Sequence, residues 1–174
     1  TLDRSSAASD VYKRQWEIPP ERIGRQGKAG ERRPHLVPLS RQALEVLGYL
    51  RAGRGDDHCK GVARLFPGER DHDKPMSNGA ILMALKRMGY QGRQTGHGFR
   101  GIASTWANES GYRRDVIEAQ LSHIDPDSTR GAYNHAIYLA ERRELMQAWA
   151  DYLDAVKSSG KVIPFRRARP VAAA

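Results

Sequence analysis

Cysteine and long apolar runs are scarce in this chain, and acidic residues are outnumbered by basic ones. Its 174 residues include 20 Asp or Glu against 29 Lys or Arg, a formal net charge of +9, with a pI near 10.0. That imbalance points to a polyanionic partner, nucleic acid first, with an ordinary basic surface as the bland alternative. The single cysteine, Cys59, excludes an intramolecular disulfide and fits a reducing cytoplasm. No stretch approaches the roughly 18 apolar residues of a membrane span. The opening Thr1-Leu2-Asp3-Arg4 lacks the basic-then-apolar pattern of a signal peptide. With 39% hydrophobic residues and a mean hydropathy of −0.69, the expectation is a soluble, cytoplasmic protein without a membrane partner. The Asp57-His58-Cys59 and Asp71-His72 runs fit no standard zinc spacing, so no metal is expected.

The length suits one domain, or most of one, with a sizeable core. Residues 1–15 read as a leader foreign to the rest of the chain. They show no clear period, and Ser5–Gln15 (SSAASDVYKRQ) looks like translated adapter sequence, which puts the native start near Trp16; an ordinary flexible terminus is the alternative. Trp16–Ile23 and Pro34–Leu39 read as paired strands around a basic Gly27-Lys28-Ala29-Gly30 turn. Ser40 is placed to cap a helix carrying Leu44, Val46, Leu47 and Leu50. Residues 53–76 form a Gly-, Asp- and Pro-rich loop with a small buried patch at Val62, Leu65 and Phe66. Ser77 is placed to cap a second helix with Ile81, Leu82, Leu85 and Met88, closed by Gly89. A third helix starts near His97, with Phe99, Ile102, Ala103 and Trp106 on its apolar stripe and Arg100 off it, facing a ligand. A fourth carries Val116, Ile117 and Leu121. Ser128 can cap a short helix presenting Tyr133, and a last helix over about 139–156 repeats Leu145, Trp149, Tyr152, Leu153 and Val156. Residues 157–174 read as a basic flexible tail with Arg166, Arg167 and Arg169, and there is no internal repeat.

The stretch from His97 to His135 holds the chemistry-bearing residues. His97 and Arg100 are three apart, so one helix face carries both. His123 follows in Leu-Ser-His and Tyr133 comes ten residues later. Transesterification of a phosphodiester needs a nucleophile, charge relief on the non-bridging oxygens and a proton for the leaving oxygen. A tyrosine hydroxyl, normally protonated near pKa 10, needs a base nearby to act as that nucleophile. Arginine offers a permanently charged planar fork that matches two phosphate oxygens. His97 stands at a helix start, where backbone N–H groups favour an anion. His123 can hydrogen-bond the phosphate, and Lys28 can protonate the leaving oxygen. Singly, each has an ordinary reading: a half-buried tyrosine, satisfied histidines, a solvated turn lysine. Their order in one basic chain favours the joint one.

This set resembles the catalytic domain of tyrosine recombinases (phage integrases), most closely the satellite-phage and genomic-island branch. His97-Gly98-Phe99-Arg100 is similar to the family's His-x-x-Arg box, Leu121-Ser122-His123 to its Leu-Gly-His step, and Ala132-Tyr133-Asn134 to its nucleophile step. The run Arg33–Ser40 (RRPHLVPLS with Arg32) and the closing Met146–Leu153 (MQAWADYL) also resemble that branch, so the likeness covers about 16–155, within a catalytic domain read as 16–156. It implies a mainly α fold with a small antiparallel β-sheet, the recombinase catalytic-domain fold. It implies site-specific DNA integration through a 3′-phosphotyrosyl intermediate, with neither cofactor nor metal. Tyr133 would be the nucleophile, Arg100 would stabilise the phosphorane, His97 would assist proton transfer, His123 would hold the phosphate and Lys28 would be the acid. Lys28, Arg32, Arg33, Arg100, Arg130 and His135 are the candidate DNA contacts. The partners implied are double-stranded attachment sites, further protomers in a tetramer on paired sites, and accessory DNA-bending proteins. The last helix would pack on its own body or on a neighbouring protomer. The family's Thr-Gly-x-Arg box, home of a first catalytic arginine, has no match here, so the chain reads as a C-terminal portion that is inactive by itself if that arginine is indispensable. Two other readings stay open: a non-catalytic DNA-binding module, and a nicking-closing activity like that of type IB topoisomerases.

Overall fold

The computed structural model describes residues 14–19, 34–52, 65–123 and 138–160. Within them lie two strands and five helices: β1 (Gln15–Ile18), β2 (His35–Pro38), α1 (Arg41–Ala52), α2 (Ala80–Arg87), α3 (Gly96–Glu109), α4 (Arg114–Gln120) and α5 (Leu139–Ser159). The domain is mainly helical with a small antiparallel sheet, as the sequence implies.

The strands pair antiparallel, with Trp16 opposite Val37 and Glu17 opposite Leu36. β1 begins at Gln15, inside the segment read as a leader, and the Leu39 amide donates to the Arg14 carbonyl at 2.9 Å. It ends at Ile18, well before Ile23, because Pro19 has no amide hydrogen to continue the ladder. The Gly27–Gly30 turn lies outside the described residues.

Three helices close in the same way. The last turn ends on a residue with positive φ, whose amide and the next bond back to helix carbonyls and satisfy groups otherwise orphaned. Gly89 (φ 83°) does this for α2 and Gly111 (φ 83°) for α3. For α4 the position is held by Ser122 at φ 54°. At the other ends, Ser40 Oγ accepts from the Ala43 amide at 3.2 Å and starts α1. Ser77 does not cap α2: its backbone carbonyl takes the Ala80 amide, and the helix opens at Gly79 without a side-chain cap. Glycine has no side chain to offer the first-turn amides there.

The core lies where α3, α4 and α5 meet. Trp106, Ala107, Val116, Ile117 and Leu145 are buried together. The Trp106 ring lies 5.1 Å from that of Trp149, 5.7 Å from Tyr152 and 5.8 Å from Tyr112, all tilted, as aromatic quadrupoles prefer. The inward stripe of α3 differs from the expected one. Phe99 and Ile102 are 51% and 47% exposed, while Trp106 and Ala107 are 6% and 2% exposed. The inner face therefore runs Arg100, Ala103, Trp106, Ala107 and Ser110. Counting apolar residues alone put the stripe one step off, because the inner face starts with an arginine and ends with a serine. Phe66 is likewise exposed, not buried, and Val46 and Leu153 face outward on α1 and α5.

α5 packs on its own body. Gln42 of α1 donates to Asp151 at 2.8 Å and to Asp154 at 2.9 Å, while Gln147 donates to Gln42 at 2.9 Å. Arg142 has no exposed surface at all. Its Nε donates to Gln120 Oε1 at 2.9 Å and its Nη2 to the Leu36 carbonyl, so one guanidinium joins α5 to the end of α4 and to β2. Burial pushes its pKa down to about 10, which leaves it charged at neutral pH. No helix among the described residues is long and apolar enough to cross a membrane.

Candidate active site

The site is built at the start of α3 and the end of α4. Thr95 caps α3: its hydroxyl accepts from the Gly98 amide at 3.0 Å. His97, exposed, is thereby fixed in the first turn, at the positive end of the helix dipole, where an anion is favoured. One turn on, the half-buried Arg100 reaches across and donates Nη2 to the Leu121 carbonyl. Leu121 is the C-cap residue of α4, whose carbonyl has no intrahelical partner, so the cation meets the negative end of the helix. That hydrogen bond brings the His-x-x-Arg turn beside the Leu-Ser-His step, 21 residues further along the chain.

The Leu-Ser-His step is itself the helix cap. The His123 amide donates to the Glu118 carbonyl at 3.0 Å and the Ser122 amide to Ala119 at 3.3 Å, across the left-handed Ser122. A side chain in that conformation costs about 1–2 kcal/mol, which glycine avoids. We expect Ser122→Val, with its branched Cβ, to cost about 1–2 kcal/mol and lower the melting temperature by roughly 3–6 °C. Ser122→Gly is expected to melt at or above the unchanged protein, and thermal unfolding followed by circular dichroism distinguishes the two. The His123 ring turns back on the same helix, with Nδ1 in contact with the Glu118 carboxylate.

A second cluster ties the start of α5 to the start of α4. Arg113 bridges Asp115 and, at 3.2 Å, Glu141, and its guanidinium lies 5.2 Å over the Tyr138 ring. Burial alone would raise the Asp115 pKa, but hydrogen bonds from Arg113 and Tyr138 outweigh it and hold the carboxyl below its usual range. The bond to Asp115 in turn raises the Tyr138 hydroxyl. Residues 123 and 138, on either side of the segment with the candidate nucleophile, are therefore both held by α4.

Of the residues singled out from the sequence, His97, Arg100 and His123 stand around this junction. Tyr133, Lys28, Arg32, Arg33, Arg130 and His135 lie outside the described residues. Arg100 is on the inner face of α3 and not off it, and it reaches the site by crossing to α4. Sequence reasoning missed Glu118, Arg142 and the Arg113–Asp115–Tyr138 cluster. Spacing does not mark these residues, since their partners lie on other elements or, for Glu118, around the helix cap.

The model of the phage integrase family matches residues 5–139. The chain belongs to the phage integrase family. Among its relatives, prophage integrase IntZ of Escherichia coli K12 is 51% identical over 128 residues, covering 72% of this chain and 30% of the relative. The integrase of Enterobacteria phage P4 is 42% identical over 155 residues, 83% of this chain and 34% of the relative. The integrase of Shigella phage Sf6 is 45% identical over 124 residues, 71% of this chain and 31% of the relative. This phage integrase chain thus spans about a third of the length of the curated relatives it matches. No solved structure gives a significant match. The family match takes in the His-x-x-Arg turn, the Leu-Ser-His cap and Tyr133 together.

Proposed function

We propose that the chain is catalytic sequence of a tyrosine-type site-specific DNA recombinase. The observation that carries this reading is the Arg100–Leu121 hydrogen bond, which joins two separately encoded motifs into one cationic site in a phage integrase family member. Tyr133 Oη attacks the phosphorus, the bond from phosphorus to the 5′-oxygen breaks, and a 3′-phosphotyrosyl link and a free 5′-hydroxyl result. Arg100 stabilises charge on the non-bridging oxygens. His97 takes part in moving the tyrosine proton, His123 holds a phosphate oxygen, and Lys28 protonates the departing 5′-oxygen. Attack by a 5′-hydroxyl from a second strand reverses the step, so the bond energy is retained and neither metal nor nucleotide is consumed. Arg32, Arg33, Arg130 and His135 extend the DNA contacts. The reaction takes place in the cytoplasm on paired attachment sites held by several protomers, with accessory DNA-bending proteins.

The test uses the full gene product that carries this chain, with a pool of labelled duplexes nicked just beyond candidate cleavage sites. Loss of the short fragment that carries the free 5′-hydroxyl traps the intermediate, and a labelled band that moves with the protein on a denaturing gel is the expected result. Binding should weaken with salt, with a log–log slope of about −0.9 for each phosphate contacted. No adduct on any duplex, or an affinity indifferent to salt, overturns the reading.

A further inference from the structure

From the way the α4 cap is built, we infer that Glu118 is a positioning residue for His123, fixing which imidazole nitrogen is presented to the phosphate. This inference rests on the recombinase reading and adds to it a residue with no assigned part. Glu118 holds His123 at two points. Its backbone carbonyl accepts the His123 amide, which sets where the residue leaves the helix. Its carboxylate meets Nδ1 of the same residue, which sets the rotation of the ring. A carboxylate only accepts hydrogen bonds, so Nδ1 must carry the proton. Nε2 is then the nitrogen that faces the ligand. A phosphate oxygen only accepts, so it is the imidazolium, with both ring nitrogens donating, that holds it through Nε2–H, while the carboxylate behind Nδ1 fixes the orientation of the ring. Both side chains are about half exposed, at 49% for His123 and 39% for Glu118, so the pair stands at the surface where DNA can reach it.

Nearby carboxylates are already committed. Asp115, one turn earlier on α4, is paired with Arg113, and Arg100 is engaged by the Leu121 carbonyl. The backbone half of the hold is independent of side-chain identity. Changing Glu118 therefore leaves the cap in place and removes only the contact to the ring.

The experiment compares Glu118→Ala and Glu118→Gln in the full gene product, alone and combined with His123→Ala. Single-turnover adduct formation on the nicked duplex is expected to fall about tenfold in Glu118→Ala, with DNA affinity within twofold. Glu118→Gln, whose amide oxygen still accepts from Nδ1, should recover most of the rate. In the His123→Ala background, Glu118→Ala should add no further loss, since the residue acts only through the ring. A loss that adds in full to that of His123→Ala, or no loss at all, overturns the inference. A second measurement needs no activity: nitrogen NMR of labelled histidine reads the tautomer directly. At alkaline pH, where the ring is neutral, His123 is expected to carry its proton on Nδ1 in the unchanged protein and to shift toward the Nε2 form in Glu118→Ala. An unchanged His123 tautomer overturns the inference even where adduct formation cannot be followed. A missing adduct in the unchanged protein, with the tautomer shift intact, would instead count against the recombinase reading alone.

Discussion

Tyr133→Phe is expected to remove adduct formation altogether, a loss beyond about 10⁴-fold, while DNA binding and its salt dependence stay unchanged. The substitution keeps the ring and deletes one oxygen. If that oxygen is the nucleophile, no neighbouring group replaces it in a covalent step, whereas the phosphate contacts that give affinity come from cations elsewhere. A DNA-binding module that lacks catalysis would be indifferent to the change. A nicking-closing enzyme would lose activity too, but would relax supercoils without yielding recombinants. An adduct that survives in Tyr133→Phe, located by digestion and mass spectrometry, would move the nucleophile to another residue.

The second large effect concerns stability. Arg142→Ala is expected to destabilise the domain by about 3–5 kcal/mol, a fall of roughly 10 °C in melting temperature. Two acceptors, the Leu36 carbonyl and Gln120 Oε1, lose their donor in the interior, and each abandoned acceptor costs about 1–3 kcal/mol. The space left by a fully buried side chain adds a cavity. Against this stands the removal of a desolvated charge, visible in the pKa pushed down to about 10. Arg142→Met separates the contributions, since it fills most of the volume without charge or donors. It should cost about 1–3 kcal/mol, between the original and the alanine variant. Denaturant unfolding at neutral pH measures all three. Equal stability of Arg142→Ala and the unchanged protein would mean that the guanidinium does not hold α5 to α4 and β2.

The two halves of the site were unequally legible in the sequence. His97, Arg100 and His123 could be picked out because their residue types are unusual together and their motif spacings are short. The helices around them followed from apolar periodicity, and the start of α1 at Ser40 and the end of α2 at Gly89 followed from capping chemistry that one residue determines locally. The α3 stripe was misjudged because its inner face includes Arg100 and Ser110, polar residues that apolar periodicity does not count as inward-facing. Arg100 meets the Leu121 carbonyl there, a partner no periodicity reveals.

The order of residues is enough to settle the local: a basic, mostly helical domain, and single-residue helix ends such as Ser40 and Gly89. Those properties depend on a few consecutive side chains and on net charge. Which neighbour each polar group found was a matter for the folded chain. Folding set Arg100 on the end of α4, turned His123 onto Glu118, buried Arg142 between α5, α4 and β2, and laid α5 on its own body. These pairings join groups distant in sequence, or returning around a helix end, and where the group is buried, as at Arg142, it must meet a hydrogen-bonding partner wherever the chain brings one within reach.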